Sequence, residues 1–286
     1  MSTDNVKCRE ITDADVHAVV DCLARNFRRR SRRFWHRSVM AIGARPQVLN
    51  YPRYGNLLEC NGKVVGVLLT IYHNNHNRIQ CNLSSWCVDN EYRSYAIMLN
   101  RVTVKDKTVT YTNVSSAPHT RTTIEAFRFK RYADGQMFAI PLLSKKMRIA
   151  KARVIEFNEN VPEAQDLSES DRRMLSDHKA MGMQALIGIF HHRVVPIVLK
   201  WRRLWKHIVP TAQLIYCRSE HDIHVFAHAI GCYCLQHGRL GLVVSANAHV
   251  PGLVGKYIPN YEPLYFYGAR IPDPMDLTYT ELGLLN

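Results

Sequence analysis

Ile79-Gln80-Cys81-Asn82-Leu83-Ser84-Ser85-Trp86-Cys87-Val88 runs straight into Asp89-Asn90-Glu91-Tyr92-Arg93-Ser94-Tyr95-Ala96. The first ten residues have the apolar run of a sheet strand, and the next eight form a tight turn containing Arg93. Ala96 to Val104 predicts a short helix. Val109 to Val114 is rich in β-branched residues and predicts a second strand. Pro118 then precedes a helix near His119 to Phe127. A helix that opens directly after a strand gathers unsatisfied backbone N–H groups at the positive end of its dipole. That arrangement suits a phosphate, so the stretch predicts a phosphorylated cofactor at the C-terminal end of a strand.

Upstream, Lys7 to Ile11 predicts a first strand. Thr12-Asp13-Ala14-Asp15 then caps a helix. Val16, Val19, Val20, Leu23 and Phe27 recur at helical spacing on one stripe. The arginine-rich segment either prolongs this helix or opens a second through Phe34, Trp35, Val39 and Ile42. Asn61-Gly62 separates Gly55–Cys60 from Lys63–Tyr72, and both turn positions favour positive φ, so a two-residue hairpin is expected. Met137 to Leu142 closes this half as a strand.

From Arg153 a similar order begins again. Val154 to Phe157 predicts a strand. Asp166 to Ser170 caps a helical region expected to run to Trp205. Gln213–Cys217 and Leu240–Ala246 predict strands on either side of a helix over Asp222–Gln236. Tyr257 to Tyr267 is an aromatic stretch with prolines. The fold class expected is therefore α/β (α+β), a mixed central sheet flanked by helices and duplicated in two halves. The domains would be 1–143 and 152–286, joined by a short basic linker, Ser144 to Lys151.

The 286 residues are 47% hydrophobic and 22% charged, an ordinary globular balance. No run is apolar enough to span a bilayer, since Ala185 to Leu199 is broken by His191, His192, Arg193 and Pro196. Met1 to Glu10 lacks the apolar core of a signal peptide, and a cytoplasmic location is expected. Eight cysteines are irregularly spaced with no C-x-x-C. Cys232 and Cys234 lie near His228 and His237. On a helix, residues i and i+2 point apart, so no metal is expected. Cys87 reads as a buried thiol rather than a nucleophile.

At this point residues 7 to 142 resemble the GNAT acyltransferase superfamily. The resemblance rests on element order and three patterns: the Asn61-Gly62 hairpin, the turn from Val88 to Ala96, and Asn113 followed by a helix ending in Arg128-Phe129. The turn resembles the family's pyrophosphate loop, and Arg128-Phe129 its Gly-Phe ending. It implies an acyltransferase that takes acetyl-CoA or a longer acyl-CoA as co-substrate and a small-molecule or peptide amine as acceptor. Arg93, Ser94, Tyr95 and Ala96 would hold the pyrophosphate, with Asn113 beside the donor. A backbone N–H from Trp86, Cys87 or Val88 would polarise the acyl carbonyl. The acceptor amine must lose a proton, and Glu59, Asp89, Glu91 and His119 are the candidate bases, of which Glu91 and His119 are carried forward. The sequence departs from the family in two places. Ser94 and Ala96 stand where glycines are usual, and Ile124 occupies the slot of the tyrosine that protonates the departing thiolate. The second half reads as a degenerate copy, with an acidic turn, Arg218 to Asp222, where a phosphate would sit.

Net charge is +14, which favours anionic partners. Arg25, Arg28, Arg29, Arg30, Arg32, Arg33 and Arg37 crowd one segment with Phe27, Phe34 and Trp35 between them. This cluster reads as a solvated face, as an acceptor-binding surface, or as a contact for nucleic acid or an anionic membrane. The last reading gives the alternative function: a non-catalytic basic binding protein on this fold. Lys200 to Lys206, with two tryptophans, reads as an amphipathic or core-packed helix.

Overall fold

The computed structural model describes residues 5–75, 78–144, 152–204 and 208–285. They form two compact units. The first runs up to Ser115 and includes Phe266–Ile271 and the stretch from Tyr279 on; the second comprises Ser116–Tyr265 and Pro272–Thr278. The expected linker, from Ser144 to Lys151, lies outside the described residues except for Ser144 itself.

The first unit contains β1 (Val6–Glu10), α1 (Val16–Asn26), α2 (Arg32–Gly43), β2 (Gly55–Cys60), β3 (Lys63–Asn75), β4 (Arg78–Val88), a 3-10 turn (Asn90–Tyr95), α3 (Ala96–Thr103) and β5 (Thr110–Asn113). Its strands lie in the order β1-β2-β3-β4-β5. All neighbours are antiparallel except β4 and β5, which are parallel. The hairpin forms as its sequence demands: Asn61 and Gly62 sit at φ 49° and 77°. The arginine-rich segment opens a second helix, because the Ser31 hydroxyl accepts the Phe34 N–H at 3.2 Å and caps α2. One face of both helices packs on the sheet, and Val19, Val20, Leu23, Val39, Val67, Leu69 and Ile71 are fully buried there. Burying each such side chain contributes about 1.5–3 kcal/mol.

The second unit holds α4 (Arg121–Ala126), β6 (Lys130–Ala139), β7 (Arg153–Glu156), α5 (Pro162–Gln165), α6 (Glu169–Ala180), β8 (Gln184–Phe190), β9 (Arg193–Leu204), β10 (Val209–Cys217), α7 (Glu220–Gln236), β11 (Gly241–Ala246) and most of β12 (Gly255–Tyr267). The chain ends its regular structure in α8 (Glu281–Leu284), which belongs to the first unit. In the second unit β7-β8-β9-β10 are again antiparallel, and β10 again pairs parallel with its next strand, β11. The resemblance reaches the register. β4 and β5 are paired over three residues, Gln80–Asn82 with Thr110–Thr112, and β10 and β11 over three, Thr211–Gln213 with Gly241–Val243. A bulge follows in both cases, before Cys87 in β4 and between Leu214 and Tyr216 in β10. The internal repeat is one of topology.

Three expectations need correction. The helix expected from Asp166 to Trp205 stops at Ala180, where Gly182 turns the chain at φ 81°, and a hairpin of β8 and β9 follows. Ala185 to Ile189 and Val195 to Leu199 are all buried on consecutive positions, so the run shows no face to read a period from. The basic stretch beginning at Lys200 accordingly lies in strand β9, with Trp201 half-buried against the core; Trp205 and Lys206 lie outside the described residues. The strand expected over Met137–Leu142 begins at Lys130 and ends at Ala139, because Pro141 opens a 3-10 turn. The aromatic stretch Tyr257 to Tyr267 is part of the long strand β12.

Arg128 ends the helical segment at φ 66°, and the Phe129 N–H returns to the Ile124 carbonyl at 3.3 Å. A left-handed residue at this position normally calls for glycine.

Candidate active site

The site is built where β4 leaves its neighbour. Pairing of β4 with β5 ends at Asn82 and Thr112. Three residues after Asn82, Ser85 adopts φ 55°, and two residues of β4, Ser85 and Trp86, stand opposite Leu68 of β3. A bulge of this kind frees backbone groups from the ladder and re-aims the strand. Leu83 to Val88 therefore diverges from the course of β5, leaving a wedge between two parallel strands.

Five side chains furnish this wedge. Asn82 is fully buried and donates to the Thr112 carbonyl at 3.3 Å. Its Oδ1 accepts the backbone N–H of Glu281 at 2.8 Å. The Glu281 carboxyl accepts from the Ser84 hydroxyl through Oε2 and from the Ser115 hydroxyl through Oε1, the latter at 2.5 Å. Asn113, just past the last pair, keeps a buried Oδ1 without a hydrogen-bond partner. Such an orphan acceptor costs roughly 1–3 kcal/mol unless something donates to it. Nothing local in the sequence marks Ser84, Ser115 or Glu281. Glu281 meets Ser84 across 197 positions of chain.

Beyond the wedge the turn takes a tighter path than the sequence suggests. Helical geometry begins at Asn90 as a 3-10 segment rather than at Ala96. The Tyr92 N–H bonds the Asp89 carbonyl at 2.9 Å and the Ala96 N–H bonds the Arg93 carbonyl, so these two amides are already satisfied. The amides without an intrahelical acceptor are those of the first turn, Asn90 and Glu91. Arg93 and Ser94 are exposed on this turn, and Tyr95 and Ala96 are half-buried. The start of the turn is anchored from α1. Asp89 accepts from Arg25 at 2.8 Å and from the Asn26 amide at 2.8 Å, while its N–H bonds the Val65 carbonyl at 2.8 Å. Burial raises the Asp89 pKa, but the Arg25 and Asn26 bonds outweigh it, and the carboxyl lies below its usual range. It is a fixed anion and a poor base.

The other expected bases differ in setting. Glu59 is bonded to Arg9 at 2.6 Å, in a cluster that also holds Asp15. Glu91 is exposed on the 3-10 turn of the first unit; His119 is exposed in the Pro118–Thr120 turn of the second. Trp86, Cys87 and Val88 are half-buried on the diverging part of β4. Contact with the Cys22 thiol, with burial added, holds the Cys87 thiol well above its ordinary pKa, so it stays protonated. Ile124 is buried in α4 of the second unit. Among the described residues no group of three side chains is placed to hold a metal ion.

The arginine cluster is divided. Arg25 serves Asp89, and Arg32 pairs with Asp21 at 2.6 Å. Arg28, Arg29, Arg33 and Arg37 are exposed, and Arg30 lies 4.6 Å over the Phe34 ring. Phe34 and Trp35 are buried in the core, 8% and 4% exposed, and so are withdrawn from any role in stacking on bases or entering a bilayer. In the second unit, the start of α7 is capped from within: the Ser219 hydroxyl accepts the Asp222 N–H at 3.2 Å and donates to the Asp222 carboxylate at 2.7 Å. Buried Asp222 also pairs with Arg193 at 2.8 Å. The second wedge is taken up by backbone, since the Cys217 N–H bonds the Met275 carbonyl at 3.2 Å and the Leu277 N–H bonds the Ile215 carbonyl at 2.8 Å.

A GCN5-related N-acetyltransferase from Anabaena variabilis superposes with a TM-score of 0.60 at 12% identity, covering 93% of this chain and 73% of that one. The protein has the GCN5-related N-acetyltransferase fold. A second such enzyme, from Kribbella flavida, matches at TM-score 0.55 and 12% identity, over 92% of this chain and 71% of its own. The glucosamine N-acetyltransferase region of a fungal multi-domain β-N-acetylglucosaminidase matches at 0.59 and 13%, over 93% of this chain and 38% of that one. No protein-family model matches the sequence, and no curated protein matches it significantly. The GNAT likeness thus lies in the path of the backbone: a mixed sheet flanked by helices.

Proposed function

We propose that the protein is an acyl-CoA-dependent acyltransferase that moves an acyl group from a coenzyme A thioester to an amine, with its donor site in the first unit. The observation that supports this most is the parting of β4 from β5 after three paired residues, with a bulge at Ser85 and a helical turn immediately beyond. The pantetheine arm would lie in the wedge and donate an amide N–H to the buried Oδ1 of Asn113. The diphosphate would lie over the turn, held by the Arg93 guanidinium, the Ser94 hydroxyl and the first-turn amides, with Tyr95 and Ala96 beneath. A backbone N–H of Trp86, Cys87 or Val88 would bond the thioester oxygen as charge develops on it.

The chemistry is a balanced exchange. The acceptor ammonium gives up a proton to a base, and its nitrogen attacks the carbonyl carbon. A C–N bond forms, the C–S bond breaks, and the coenzyme A thiolate leaves and takes up a proton. Glu91, on the turn of the first unit, is the proposed base. With Cys87 held as a thiol, positioning carries a large share of the rate in this scheme. The exposed arginines of the α1–α2 junction favour an acceptor that bears negative charge. The binding-protein alternative, on nucleic acid or a membrane, keeps those arginines, but two of its three aromatic side chains, Phe34 and Trp35, are buried.

The reading is tested by thermal unfolding with acetyl-CoA. At 100 times Kd a ligand stabilises the native state by about 2.7 kcal/mol, an upward shift of roughly 5–10 °C for a chain of this size. The absence of any shift with acetyl-CoA and with a longer acyl-CoA, alongside steeply salt-dependent binding of DNA, would favour the alternative instead.

A further inference from the structure

Glu281 lies across the wedge just beyond its apex. One carboxyl oxygen accepts from Ser84 on β4 and the other from Ser115 just past β5, and its backbone N–H is fixed to Asn82, the last paired residue of β4. The side chain is 8% exposed. Its neighbours are equally fixed: Thr280 and Gly283 are buried, and Leu284 and Leu285 pack against the core of α1 and α2. Anything sliding into the wedge from its open, Val88 end meets this bridge of hydroxyls and carboxyl before it reaches the interior of the sheet.

We infer that Glu281 is a specificity-determining residue that limits the donor to short acyl groups. The inference rests on the donor-site reading above. A two-carbon acyl group ends before the bridge. A chain of eight carbons must either displace Glu281 or lay methylenes against a carboxyl and two hydroxyls. Displacement of the side chain breaks its bonds to the Ser84 and Ser115 hydroxyls and leaves the buried Ser84 hydroxyl without its carboxylate acceptor. Neither route compensates the polar groups, so the long chain loses the affinity its apolar surface would otherwise contribute.

The test compares acetyl-CoA with octanoyl-CoA by isothermal titration on the full chain. Wild type should bind acetyl-CoA about tenfold or more tightly than octanoyl-CoA, since one lost buried hydrogen bond is enough for that ratio. Glu281→Ala opens the wedge and should bring octanoyl-CoA level with or ahead of acetyl-CoA. Glu281→Gln, which can keep one bond to each serine, should retain the wild-type ranking. Equal binding of the two thioesters by wild type would overturn the inference and leave the donor site standing, and that comparison needs no variant to fold. An unchanged ratio in a folded Glu281→Ala would overturn it as well. If neither thioester binds wild type, the donor site itself is wrong and the inference falls with it.

Discussion

Arg93→Glu will weaken acetyl-CoA binding by roughly 30- to 100-fold without changing the unfolding temperature of the unliganded protein. The guanidinium is exposed on the Asn90–Tyr95 turn, so replacing it removes no core contact. Hydrogen bonds to a charged group contribute about 1.5–3 kcal/mol, and reversal adds repulsion of the diphosphate. The effect should separate from bulk charge. Arg29→Glu makes the same change of net charge on the exposed α1–α2 junction and should lower affinity by about threefold or less at physiological salt, where the screening length is about 8 Å. Titration calorimetry on the two variants decides the matter. Equal losses would mean that Arg93 contributes only to the general field and does not touch the phosphates.

Gly55→Ala will destabilise the protein by about 3 kcal/mol or more, a fall in the unfolding temperature of roughly 6–12 °C. Gly55 starts β2 at φ 122°, in a region that side chains rarely adopt, and a Cβ placed there would stand 2.2 Å from the Leu68 carbonyl oxygen and 2.9 Å from the Thr70 nitrogen. Both are backbone atoms of β3, so the clash has no flexible side chain to absorb it. The same turn carries the bonds from the Ile11 N–H to the Gly55 carbonyl and from the Thr70 N–H to the Tyr54 carbonyl. Leu68 is the residue opposite the β4 bulge, so a shift here reaches the candidate site. Urea unfolding measures the loss, and a change below about 0.5 kcal/mol would show that the strand can move aside.

The elements that came through in the sequence are those whose signal is local. Asn61-Gly62 specifies its hairpin by backbone conformation alone. The strand, turn and helix from Arg78 to Thr103 are specified by a change of apolar period within a few residues. The β8–β9 hairpin was not legible because both strands are buried on both faces, and a continuous apolar run does not distinguish a strand from a buried helix. The 3-10 path at Asn90 was missed because a turn and the first turn of a helix make the same demands on Asp, Asn and Ser. The strand-to-turn unit from Arg78 to Tyr95 was legible, and so was the strand that ends at Asn113. The bridge between them was not. Glu281 reaches Ser84 and Ser115 only through the return of the chain's last segment to the first unit, and no spacing rule spans that distance. The topological repeat between the units, down to three-residue parallel ladders and the bulges after them, was visible only as a similar order of elements, because sequence is free to diverge where backbone pairing is kept.

Hydrogen exchange on the full chain with saturating acetyl-CoA is the most direct test of a donor lying between β4 and β5. Slower exchange should appear over Ser84 to Ala96 and over Asn113 to Ser115, with little change in β8 and β9. Protection confined to other segments while the ligand is bound would place the donor elsewhere and contradict the account.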